Sequence, residues 1–122
     1  MRTWEQLVSI AALSVIVSGA AYAYNREHAE SNLQRWYDED NQRYFAGKLP
    51  SAWIHFGDLT KDEADGEARF SRDAGFEIIM DRSSSDQRGI VRHEMCHVAV
   101  WGAEEHGSEW AGCMERFPQP TR

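Results

Sequence analysis

His93 and His97 stand four residues apart in the run His93-Glu94-Met95-Cys96-His97, and His106-Gly107 begins nine residues beyond His97. On an α-helix, residues four apart lie about one turn up the same face, so both imidazoles can aim at one point. That point suits a zinc ion. Glu94 is turned about 100° from His93, which sets its carboxylate beside the ion, where a general base for an activated water is needed. A catalytic zinc takes three protein ligands and keeps a fourth position open. His106 is the natural third ligand, with Glu109 or Glu115 as the alternative. The metal ligands are therefore read as His93, His97 and His106, the cofactor as Zn2+, and the catalytic residue as Glu94. A chance match on a solvated helix is the bland reading; a capped helix, a helix-ending Gly102 and a third histidine within reach weigh against it.

The elements that must position these groups can be read from periodicity. The run Ser83 to Gln87 offers Ser84 as N-cap with Gln87 three residues on, the spacing of a capping box, ahead of a helix from Asp86 to Trp101. Val91, Met95 and Val98 form its core stripe. Upstream, Arg26 to Ala46 carries Ala29, Leu33, Trp36, Tyr37, Tyr44 and Phe45 at helical spacing, and Gly47 with Leu49-Pro50 ends that helix. Ala52 to Gly57 reads as a strand. Glu67–Ser71 and Phe76–Met80 read as a hairpin closed by Arg72-Asp73-Ala74-Gly75. A short last helix, Ser108 to Phe117, holds Trp110, Cys113, Met114 and Phe117 on one side. Trp36, Tyr44, Trp53, Trp101 and Trp110 are all taken as packing residues.

A chain of 122 residues with 42% hydrophobic and 11% aromatic residues is one globular domain rather than a disordered segment. The formal net charge is -7 and no lysine or arginine block occurs, so direct nucleic-acid binding is not expected. Residues 1–24 form a separate segment. Arg2 precedes an apolar run, Leu7 to Tyr24 is free of charge, and Ala21-Tyr22-Ala23 has the small-residue pattern of a cleavage site. A secretory signal peptide, a membrane anchor through residues 7–24 and a first core helix are the three readings. The first two place the protein as exported or membrane-anchored. Cys96 and Cys113 are the only cysteines. They would join the two last helices by a disulfide in an oxidising compartment, or serve as two small buried hydrophobes in a reducing one. The second is favoured here, because sequence cannot place their Cα atoms close together.

The chain resembles the SprT-like (Spartan-type) zinc metalloprotease domain family over about residues 32 to 117. The resemblance rests on an aromatic-rich helix leading into Tyr44-Phe45-Ala46-Gly47-Lys48-Leu49-Pro50, the strand Trp53 to Phe56, a glycine-led strand from Gly66, the Ile78-Ile79 strand, the HEMCH run, and His106-Gly107 followed by Trp110. It implies His93, His97 and His106 as zinc ligands and Glu94 as catalytic base. It also implies an α+β, minimal zincin-like domain over residues 25–122, with a small three-stranded sheet packed on the HExxH helix behind an N-terminal hydrophobic segment. The added DNA-binding and zinc-ribbon elements of family members that act on DNA-bound proteins are not found. The metzincin pattern is not met either, since Val100 and Ala103 stand at its glycine and histidine places.

The expected activity is that of a zinc metalloendopeptidase: hydrolysis of peptide bonds by metal-activated water with Glu94 as general base. The rival is an exported or anchored zinc-stabilised binding module, which would need the histidines but not Glu94. The partner is a protein or peptide substrate. Phe76 to Met80 is read as an edge strand that would align the substrate backbone. No tyrosine follows Tyr44, so Arg82, Arg92 or His55 would have to serve as a second oxyanion donor. Glu104, Glu105 and Glu109 are candidates for orienting the imidazoles.

Overall fold

The computed structural model describes residues 28–119. The leader expectation for residues 1–24 lies outside them. Among the described residues no helix is long and apolar enough to cross a membrane. The chain divides into two compact units after Ser31; the sheet, the site, the last two helices and the first helix from Asn32 onward belong to the second.

Helix α1 covers 28–45 and buries Leu33, Tyr37 and Phe45 of the stripe its periodicity predicts, while Ala29, Trp36 and Tyr44 are partly buried. It stops at Ala46 and Gly47, both with positive φ. Asn41 then clamps the outgoing chain: its side chain accepts from the Leu49 amide at 3.0 Å and donates to the Leu49 carbonyl at 3.2 Å. Strands β1 (Ala52–Phe56), β2 (Gly66–Ser71) and β3 (Gly75–Met80) follow, then helices α2 (Gln87–Ala99) and α3 (Ser108–Met114). Among the described residues the result is a small α+β fold of three strands and three α-helices, with one turn of 3-10 helix at Thr60–Asp62.

The sheet order is β1-β3-β2, with β1 parallel and β2 antiparallel to β3. The predicted hairpin is therefore present. Its second strand is central rather than an edge, because β1 returns to pair along its other side. The free edges belong to β1 and β2. Alternation puts Ile54, Phe56, Ile78 and Met80 on one face, all buried, and α2 contacts both β2 and β3. From α2, Val91, Met95 and Val98 are buried in the same core.

Two local expectations are corrected. The N-cap of α2 is Asp86, not Ser84: its carboxylate accepts from the Gly89 amide at 3.1 Å. The serine run belongs instead to the preceding turn, where Asp81 accepts from the Ser83 amide at 2.9 Å and hydroxyl at 2.7 Å. The cysteines are not free thiols. α2 and α3 pack so that the Cα atoms of Cys96 and Cys113 lie 5.7 Å apart, and the two form a disulfide.

One buried polar contact ties α1 to α2. Asp40 has no exposed surface; it accepts from Arg92 Nε at 2.8 Å and from Arg88 Nη2 at 2.9 Å. Burial alone would raise the Asp40 pKa, but the hydrogen bonds and charges of Arg92 and Arg88 hold it below its ordinary 3.8.

Candidate metal centre

His93 and His97 project from one face of α2, as their four-residue spacing requires, and the chain must then turn back to bring up His106. Val100 closes the helix with its amide on the Cys96 carbonyl, and Gly102 takes φ +90°, a conformation an L side chain would strain. His106 itself has φ +54°, in the left-handed region where histidine is among the more tolerated residues. Gly107 then caps α3 in an extended conformation.

The three Nε2 atoms converge: 3.2 Å between His93 and His97, 3.1 Å between His97 and His106, and 3.0 Å between His106 and His93. These three contacts cannot all be hydrogen bonds. A given Nε2 is either a donor or an acceptor, so in a triangle at least one pair must match donor with donor or acceptor with acceptor. Three lone pairs aimed at a shared cation remove the conflict. Three nitrogens bound at 2.0–2.1 Å around a tetrahedral ion would stand about 3.3 Å apart, close to the spacing seen. The three histidines together could hold a metal ion, whereas Glu109 and Glu115 lie outside the cluster. Burial, then the charges of His97 and His106, push the His93 pKa down to about 4; His97 is lowered by burial and by His106. Both shifts favour the neutral ring, the form a metal ligand needs.

Glu94 is only 4% exposed. Burial first, then the charge of Glu67, push its pKa up to about 7, with the Ala68 backbone amide pulling the other way and Glu105 adding to the rise. A carboxyl poised there can take and return a proton near neutral pH. Glu94, His93, His97, His106, Gly66 and Ile90 line a cavity of about 290 Å³. Gly66 is the site residue whose role sequence periodicity does not signal. A Cβ at that position would lie 2.7 Å from Ile90 Cγ2 and 3.1 Å from Glu94 Oε1, so β2 reaches the carboxylate only because the position is glycine.

Trp110 is not ordinary core. Half-buried, it sets its ring centroid 4.7 Å from those of His93 and His106 and 5.8 Å from that of His97, and its Nε1 donates to the His93 carbonyl at 3.3 Å. Glu105 lines the cavity and its charge bears on His93 and His97, whereas Glu104 and Glu109 do not line it. None of the candidate oxyanion donors lines it either. Arg92 is committed to Asp40, Arg82 lies over the Phe56 ring, and His55 stacks on Trp53 with its Nε2 3.1 Å from the Glu77 carboxylate. Trp53 and Trp101, expected as packing residues, are 62% and 49% exposed.

The model of one protein family, described as the SprT-like family, matches residues 33–121. Comparisons with curated proteins and with solved structures give no match.

Proposed function

The chain belongs to the SprT-like family, associated with zinc metalloprotease-like domains, and from that premise we propose that it is a zinc-dependent metallopeptidase that hydrolyses peptide bonds. The observation that carries this reading is the pairing of three converging histidine Nε2 atoms with one buried carboxylate in the same cavity. His93, His97 and His106 would hold the zinc. When bound, the ion supplies Lewis acidity, making a water acidic near pH 7 and polarising a carbonyl.

The chain's own residues then divide the work. Glu94 accepts the proton of the attacking water and returns it to the leaving amine nitrogen, a role its buried place beside the three histidines in one cavity suits. Trp110 limits the room of all three imidazoles, and the disulfide ties its helix to α2 one residue from His97. A binding module would need the histidines but would gain nothing from a buried carboxylate beside them. The disulfide also supports an exported or membrane-anchored location, since such bonds persist in oxidising compartments.

Glu94→Gln keeps the side chain's size but removes its basicity. Zinc content should be unchanged while cleavage of an unfolded protein falls by about 10²–10⁴-fold. Equal cleavage by the two proteins at equal zinc content would remove Glu94 from the mechanism and favour the binding-module reading.

A further inference from the structure

Phe70 and Trp101, both about half exposed, stand together with Phe76. The ring centroids are 4.8 Å apart for Phe70 and Phe76, 5.4 Å for Phe76 and Trp101, and 6.4 Å for Phe70 and Trp101. Strand alternation accounts for the position. Gly66, Ala68 and Phe70 lie opposite Met80, Ile78 and Phe76, on the face whose Ile78 and Met80 are buried. α2 ends at Ala99, and Trp101 follows two residues later. A cavity of about 590 Å³ lies between the two: of the patch Trp101 lines it, of the metal centre His97, and residues 66–68 of β2 form its wall.

Along this cavity β2 is bonded to β3 on one side only among the described residues, and of its outer-edge groups the Ala68 amide is held by Glu94. An exposed edge is a template for an added strand. The cavity is also lined by Asp62, Glu67, Glu104 and Glu105, and by no lysine or arginine. A second copy of this chain, at formal net charge -7, would meet like charge there, whereas a neutral or basic extended segment would not.

We infer that Phe70, Phe76 and Trp101 form a substrate subsite for a large apolar side chain of an extended, non-acidic polypeptide segment, which adds to the free edge of β2 with its scissile bond over Glu94. The inference rests on the metallopeptidase reading. Glu94 lies at the level of Gly66 and Ala68, and a strand rises about 3.3 Å per residue. The apolar side chain therefore sits about two to four residues from the cleaved bond.

The test separates binding from cleavage. Short fluorescein-labelled peptides, identical save for phenylalanine or serine at one position, are titrated by anisotropy against the zinc-loaded full chain carrying Glu94→Gln. The phenylalanine peptide should bind about tenfold more tightly. Adding Trp101→Ser and Phe70→Ser, with thermal midpoints checked, should abolish the difference. Equal binding of both peptides, or a preference that survives both substitutions, overturns the subsite. So does a result in which the substitutions change only self-association. Cleavage sites of the wild-type enzyme, mapped by mass spectrometry, should fall two to four residues from an apolar residue; cleavage with no such pattern overturns the subsite and leaves the peptidase reading. Preferential binding without any cleavage by wild type does the reverse.

Discussion

Gly66 sits so close to α2 that a Cβ there would stand 3.1 Å from Glu94 Oε1 and only 2.7 Å from Ile90 Cγ2, so a methyl group fits only if Ile90 shifts and Glu94 gives way. The glycine opens β2, the glutamate sits mid-helix on α2, and their contact fixes how far the sheet edge lies from the carboxylate.

Gly66→Ala should therefore overpack this junction. A cost of about 1–3 kcal/mol in urea unfolding is expected, together with a fall of about tenfold or more in peptide hydrolysis at equal zinc content. A variant matching wild type in both would show that the approach is not restrictive.

Loss of one ligand should be felt directly by the metal. His106→Ala leaves two imidazoles, and zinc affinity measured by chelator competition should fall by more than about 100-fold, beyond what loss of a ligand's hydrogen-bond partner costs. Full zinc retention would exclude His106 as a ligand. Stripping zinc from wild type should also lower its thermal midpoint.

Asp40 should make stability depend on acid. Its folded pKa lies below 3.8, so its contribution is fully present above that pH and is lost as pH falls through the folded value. Asp40→Asn should cost about 2 kcal/mol at pH 7, less than for a fully buried pair because both guanidiniums keep some contact with water. The gap between variant and wild type should narrow below about pH 4. A gap that stays constant down to pH 2 would show that the Asp40 carboxylate is not its source.

Opening the disulfide should loosen α3. The bond closes a loop of sequence separation 17, for which about 3 kcal/mol is expected on loss. The paired change Cys96→Ala and Cys113→Ala should also weaken zinc retention, since Trp110 rides on the tethered helix. Unchanged urea midpoint and zinc affinity would confine the disulfide to a passive role.

What the residues determined on their own was local. Four-residue spacing on a helix was enough to bring His93 and His97 to one point, the glycine after the helix turned the chain, and His106 lay within reach; α1 and the hairpin were legible for the same reason, that periodicity and turn chemistry act within a few residues. Pairings between distant segments were decided only by the tertiary structure. Nothing local in Phe76–Met80 announces that β1 will take its other edge and make it central. Asp40 becomes a buried anchor only when Arg88 and Arg92, 48 and 52 residues away, arrive on α2. Cys96 and Cys113 bond because two helices cross at the right distance, Trp53 and Trp101 stay exposed because nothing among the described residues covers them fully, and Gly66 has its meaning only once Glu94 is opposite it. Each of these depends on packing one element against another, where burial and steric fit act between residues far apart in the chain.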